Sequence, residues 1–266
     1  MVDFHDQLGP KPLLGVVHLL PLPGSPAYGG DWPIVRRRAA EDAAAYAEGG
    51  ADGLVIENFG DSPFFPGSVP AETVAHMAVI GAEIRDRTDL PLGVNVLRND
   101  GLSALSIAHA IGAAFIRVNV LIGARVADQG LLVGIAHDLL RLRRRLDAAS
   151  VLILADVDVK HAASLAPRPI EEEVEETLER GRADAVIVTG RSTGDPANGD
   201  DLRRAVEAAG SRPVLVGSGV TPANVMSWRG LCGGFLVGTY CKEGGAVEQP
   251  VDRARVARLR AALDDR

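Results

Sequence analysis

Two hydrophobic periods alternate along the chain. Short runs rich in Val, Ile and Leu are separated by longer stretches in which apolar residues recur every three or four positions, the pattern of amphipathic helices. Eight runs stand out as strands: Leu13 to Leu19, Gly53 to Asn58, Pro91 to Leu97, Phe115 to Val120, Val151 to Asp158, Ala185 to Gly190, Pro213 to Ser218 and Gly234 to Gly238. They are nearly continuous in apolar character, as strands covered on both faces must be. Strands alternating with helices give parallel βα units, and eight of them predict closure into a single (β/α)8 TIM barrel spanning 1–266, an α/β fold. The competing open doubly wound sheet needs a glycine-rich turn after its first strand, and His18-Leu19-Leu20-Pro21-Leu22-Pro23-Gly24 is not one. Small-residue entries such as Gly112-Ala113-Ala114 turn helix ends into the next strand.

The polar residues that interrupt this pattern fall at the C-terminal ends of the strands, where the loops of a barrel converge on one mouth. His18 ends the first strand and Glu57-Asn58 the second. Asn95, followed by Arg98-Asn99-Asp100, marks the third, Arg117 and Asn119 the fourth, and Thr189 the sixth. The fifth carries Asp156, Asp158, Lys160 and His161. A charge inside an apolar strand is expensive unless paired or wet, so each is either a buried strut or a ligand-facing group. Their shared end favours a site. Asp156, Lys160, Glu57, Arg117 and His18 are the catalytic candidates, and Asn95, Arg98, Asp100, Asn119, His161 and Thr189 the substrate-binding ones. Lys160 beside carboxylates stays protonated, which favours acid/base or electrostatic use over imine formation.

Gly217-Ser218-Gly219 after the seventh strand and Gly238-Thr239 after the eighth point to a phosphate site: glycines let backbone N–H groups approach an anion, and a helix opening at Thr221-Pro222 adds its dipole. Lys242 reads either as an added positive charge there or as an exposed loop lysine. No metal site and no cofactor are predicted, with a divalent cation on Glu57, Asp100 and Asp156 left open. The loop from Leu121 to Gly130 is long enough for a lid, with Asp128 and Gln129 in reach of a sugar hydroxyl. The loop from Pro63 to Val69, with Phe64 and Phe65, closes the same mouth or supports an oligomer contact.

Composition narrows the partners. A formal net charge of -7 with interspersed signs offers no basic surface for nucleic acid. The one basic cluster, Arg141 to Arg145, lies on a helical stretch and reads as a solvated face, while His76, His109 and His137 lie in helix patterns as structural residues. Two cysteines form no disulfide framework or metal spacing. There is no transmembrane or secretory pattern, so a cytoplasmic protein is expected, any membrane association running through protein partners. A homo-oligomer is expected.

Several segments together resemble the BtpA/SgcQ family: Gly15-Val16-Val17-His18-Leu19-Leu20-Pro21-Leu22-Pro23-Gly24-Ser25-Pro26, Glu57-Asn58-Phe59-Gly60-Asp61, Gly93 to Asp100, Phe115 to Val120, Ala155-Asp156-Val157, Val159 to Ala162 and Gly217-Ser218-Gly219-Val220. The resemblance runs from about residue 13 to 256. It implies a phosphate-binding-type TIM barrel, with founding members associated with photosystem I biogenesis in cyanobacteria and others resembling companions of sugar-transport operons. Two functions follow as expectations: an enzyme of lyase, isomerase or hydrolase type acting on a phosphorylated sugar or nucleotide-like metabolite, or a non-catalytic assembly factor for a membrane complex.

Overall fold

The computed structural model describes residues 3–157, 162–190 and 198–265. A short helix α1 (Phe4–Leu8) leads into β1 (Leu13–His18), followed by α2 (Trp32–Glu48), β2 (Gly53–Glu57), α3 (Ala71–Arg85), β3 (Leu92–Asn95), α4 (Gly101–Ile111) and β4 (Phe115–Val118). A hairpin of β5 (Ala124–Ala127) and β6 (Gly130–Val133) precedes α5 (Ala136–Arg145) and β7 (Leu152–Val157). Then come β8 (Ala162–Ser164), α6 (Ile170–Glu179), β9 (Ala185–Val188), α7 (Gly199–Ala209), β10 (Val214–Val216), α8 (Val225–Arg229), β11 (Gly234–Val237) and α9 (Arg253–Asp264).

Eight parallel strands close in the order β1-β11-β10-β9-β7-β4-β3-β2, and each expected run supplies one of them. Closure disposes of the doubly wound alternative. Hydrogen-bond register sets Val16 beside Val55 and His18 beside Glu57, then Val55 beside Gly93 and Glu57 beside Asn95. Because successive side chains alternate faces, residues two apart share the barrel interior. Its lower layers are apolar: Leu14, Val16, Val55, Phe115, Leu152, Leu154, Ile187, Leu215 and Leu236 form one buried cluster, joined by Phe4 and Leu8 of α1, which stopper the N-terminal end. Gly93 leaves room for the Phe115 ring, since a Cβ there would lie 2.2 Å from it.

The opposite strand faces pack on the helices in a second, larger core. Helix starts are fixed by Asp31, Asp100, Asn198 and Asp252, whose side chains accept from first-turn N–H groups. Gly112, at φ +66°, ends α4 in the left-handed conformation.

Two expectations need correction. Lys242 is neither exposed nor at the mouth: it is fully buried, its Nζ 2.8 Å from Asp42 Oδ2, in an ion pair tying the chain after β11 to α2. Asp42 also takes the Val251 N–H at 2.7 Å and Arg38 at 3.1 Å. Beyond Gly219, the turn opens at Thr221, whose carbonyl accepts from Asn224 and Val225, but the side-chain bracket is Asn224's, which binds Thr221 N–H and Gly219 O. The regular helix α8 begins only at Val225.

The long loop after β4 is the β5–β6 hairpin, and β8 adds to it to make a three-stranded antiparallel sheet on the rim, in the order β6-β5-β8. Its inner face is anchored by Arg125, which pairs with Glu173 of α6.

Candidate active site at the C-terminal mouth

The interior alternation that is apolar lower down turns polar in the last inward position of five of the eight barrel strands. Val16 gives way to His18, Val55 to Glu57, Gly93 to Asn95, Phe115 to Arg117 and Leu154 to Asp156. Arg117 is the hub. Its Nε and Nη2 donate to Asp156 Oδ1 and Oδ2 at 3.1 and 3.0 Å, and Nη1 reaches Glu57 Oε2 at 3.5 Å. Asn119 Nδ2 donates to Asp156 at 2.7 Å, and Asn95 Nδ2 donates to Arg117 O and Asn119 Oδ1 at 3.1 and 3.2 Å. Burial disfavours the Arg117 charge, but Asp156 and Glu57 outweigh it and hold the guanidinium above its ordinary pKa.

His18 Nε2 lies 3.7 Å from Glu57 Oε1, its ring tilted against Phe59 with centroids 4.7 Å apart. Gly238 makes this possible: a Cβ there would sit 2.5 Å from His18 Cε1. Arg98 is buried beside the cluster, where burial pulls its pKa down, Asp156 pulls it back and Arg117 pushes it down again.

Above this floor opens a cavity of about 840 Å³. His18, Glu57, Arg98, Arg117 and Asn119 line one side. Gly217 to Thr221 and Gly238 to Tyr240 line the other, with Asp128 and Gln129 of the hairpin tip and Phe64 at the entrance. Asn95 and Asp156 lie beneath, reached through Arg117 and Asn119. Thr189 is buried against Gly217 rather than lining the cavity. The structure does not bring Asp100 to the mouth: its oxygens accept from Ser103 N–H and Val69 N–H, capping α4 and tying down the loop after β2. Glu57, Asp100 and Asp156 therefore do not converge, and no cluster of three metal-ligating side chains occurs among the described residues. Lys160 and His161 lie outside the described residues.

The glycine loops differ in detail from their reading in sequence. Gly217 N–H donates to Val188 O at 2.9 Å, so it serves the barrel, and a Cβ at Gly217 would meet Ile187 at 2.5 Å. Gly219, at φ +63°, turns the chain. Sequence reasoning missed Arg255. From the first turn of α9 its Nε donates to Tyr240 O, its guanidinium stacks 4.5 Å over the Tyr240 ring, and it lines the cavity beside Gly238 and Thr239. It is one arginine among many in helix patterns, and only the third dimension distinguishes it.

Asn58, which ends the second strand run, and Asp61, quoted in sequence only within a motif, brace the site. Asn58 Oδ1 accepts from Leu97 N–H at 2.7 Å and its Nδ2 donates to Asp61, which takes Leu22 N–H at 2.8 Å. Burial raises the Asp61 pKa, against these hydrogen bonds.

Several solved structures share the fold at low identity. N-(5'-phosphoribosyl)anthranilate isomerase from Pyrococcus furiosus superposes with a TM-score of 0.57 and 14% identity, over 95% of this chain and 98% of that one. KGPDC from Streptococcus mutans gives 0.57 and 11%, over 95% and 97%. Relatives in sequence are nearer. An uncharacterized protein of Pyrococcus furiosus is 48% identical over 92% of this chain and 93% of its own. The photosystem I biogenesis protein BtpA of Synechocystis is 44% identical over 95% and 88%. No helix among the described residues is long and apolar enough to cross a membrane. With the BtpA family model matching residues 9–265 as well, the chain belongs to the BtpA family.

Proposed function

We propose that one barrel domain carries an enzyme site for a phosphorylated sugar or nucleotide-like small metabolite, with lyase, isomerase or hydrolase chemistry. The observation that carries this reading is the two-sided cavity. One wall is a turn of glycines and backbone with Arg255 beside it, suited to a phosphate; the other is the His18, Glu57, Arg117 and Asp156 cluster, suited to moving protons and stabilising charge. Ser218, Gly219, Thr239 and Arg255 hold the phosphate, with Gly217 and Gly238 shaping the loops. His18 and Glu57 exchange protons with substrate, and Arg117, held by Asp156, supplies fixed positive charge. Lys160 is assigned an acid/base or electrostatic role, and Arg98, Asn119, His161, Asp128 and Gln129 contact hydroxyls or a second polar group. Asn95 and Thr189 support the floor, Asp100 orders the loop after β2, and the protein acts in the cytoplasm as a homo-oligomer without a resident cofactor. The fold shared with phosphoribosylanthranilate isomerase supports a phosphate ester as ligand.

A thermal-shift panel of sugar and nucleoside phosphates against their dephosphorylated counterparts tests this. A phosphate ester at 100 times its Kd stabilises by about 2.7 kcal/mol, a shift of several degrees. That shift disappears in Arg255→Gln, while His18→Gln keeps binding and loses turnover. The relative at 44% identity named for photosystem I biogenesis favours a second reading, an assembly factor for a membrane complex. No stabilisation by any phosphate ester, with a membrane-complex subunit recovered in a pull-down, decides for it.

A further inference from the structure

The rim sheet has an outer face that no element among the described residues covers. Register sets Val126 beside Leu131 and Ala163, and Ala124 beside Val133, so these side chains share one face, while Arg125, Leu132 and Ser164 share the other. The inner face is buried, with Leu132 fully enclosed. The outer one is entirely apolar yet open to solvent: Val126, Leu131 and Val133 are 46, 53 and 54% exposed, and Leu165 just beyond β8 is 59% exposed. Such a face on an edge-bearing sheet marks an interaction surface.

Below it the ring of helices has a gap. Helix α4 packs on α5 and α6 on α7, but a groove of about 750 Å³ separates α5 from α6, and a second hollow of about 420 Å³ continues it upward, the two sharing Leu140. The helices flanking this groove carry opposite charges. On α5, Arg141, Arg144 and Arg145 are exposed; on α6, Glu172, Glu175 and Glu179 are, and none of the six forms an ion pair among the described residues. Arg141 and Glu175 are each the sixth residue of their helix, and Arg145 and Glu179 each the tenth.

We propose that a second copy of this chain docks here about a two-fold axis running along the groove. Such an axis keeps the tops of the two barrels level. It lays apolar sheet face on apolar sheet face, and sets α5 of each copy against α6 of its partner, with arginines and glutamates at matching heights. An isologous contact demands a self-complementary surface, which an all-apolar face flanked by reciprocal charges satisfies. The contact also clamps the β5–β6 hairpin, whose tip carries Asp128 and Gln129 into the cavity; only this last consequence rests on the proposed function.

Sedimentation of the full chain at micromolar concentration, without ligand, tests the proposal. The expected result is a dimer. Leu131→Glu and Val133→Glu, both at sites more than half exposed so that the fold survives, raise its dissociation constant at least 100-fold. Arg141→Glu and Glu175→Arg each weaken it and together restore it. Amide exchange of residues 124–133 is slower in the dimer than in Leu131→Glu. A wild-type monomer, or a dimer indifferent to both glutamate variants, overturns the proposal and hands the face to a different occupant.

Discussion

Replacing Arg117 by methionine isolates what the buried cluster does for stability. The change keeps the length and apolar stem of the side chain but takes the guanidinium from two carboxylates: the Asp156 side chain is fully buried, and that of Glu57, 7% exposed, keeps His18 at 3.7 Å. Breaking a buried ion pair from one side costs about 3–5 kcal/mol, because the remaining charge has lost both water and partner. Asn119 still donates to Asp156, which places the expected cost nearer the lower end. Against a total of about 5–15 kcal/mol, that is a large fraction. For a chain of this size it lowers Tm by about 6–12 °C. The sign of the pH dependence follows. The guanidinium's attraction is lost in full only where both carboxylates are charged, so the cost of the substitution is larger at pH 8 than at pH 5. Urea unfolding at pH 5 and pH 8 reads both effects through the midpoint at constant slope. Asp156→Asn in the Arg117→Met background costs less than it does alone, with a coupling energy of about 2 kcal/mol. A cost for Arg117→Met under about 1 kcal/mol, equal at the two pH values, would refute the view that this floor is dry and mutually neutralised.

Gly93→Ala drives a methyl to 2.2 Å from the Phe115 ring, and this overpacking lowers stability by about 1–3 kcal/mol; an unchanged Tm defeats the account of the barrel filling. Lys242→Met strands Asp42 at the α2 junction and costs about 3 kcal/mol, softened by Arg38 and the Val251 N–H, yet leaves phosphate-ester affinity alone because Lys242 is outside the cavity. Burial raises the Cys232 and Cys241 thiols to about 11 and about 12, so iodoacetamide at pH 8 labels neither until the protein unfolds. The same shifts fix an alkaline limit: unfolded thiols release protons near pH 9 while the folded ones keep theirs, so stability falls as pH rises from about 9 towards 12, and less steeply in Cys241→Ala.

The barrel was legible because β strands covered on both faces leave a nearly unbroken apolar signature, and eight such runs leave little choice of topology. The same pleat made the floor legible: His18, Glu57, Asn95, Arg117 and Asp156 each occupy the inward position two residues beyond an apolar or glycine one. What periodicity does not carry is the partner of each charge. Asp100 and Asp156 look alike in sequence, yet one accepts two backbone amides at a helix start and the other a guanidinium. Lys242 sits between two glycine-bearing turns, and its partner, Asp42, is 200 residues away on α2. Gly238 reads in sequence as freeing an amide for an anion; what the sequence does not carry is that its missing side chain also makes room for the imidazole across the barrel seam, where β11 meets β1. Such long-range pairings leave no local trace.

Arg255 shows why the missed residue matters to the chemistry. On the floor, among the described residues, the charges of Arg117 and Arg98 face those of Glu57 and Asp156. On the opposite wall the Arg255 guanidinium, held by the Tyr240 ring and carbonyl, is a positive charge that faces no carboxylate of the floor. In the proposed function a phosphate drawn to that wall leaves the rest of the ligand over the polar floor, where His18 and Glu57 lie. The proposed function thus puts binding energy and reaction on different walls of one cavity. Arg255→Gln should accordingly weaken the association rate and the salt dependence of phosphate-ester binding, whereas His18→Gln should leave both intact and change only turnover.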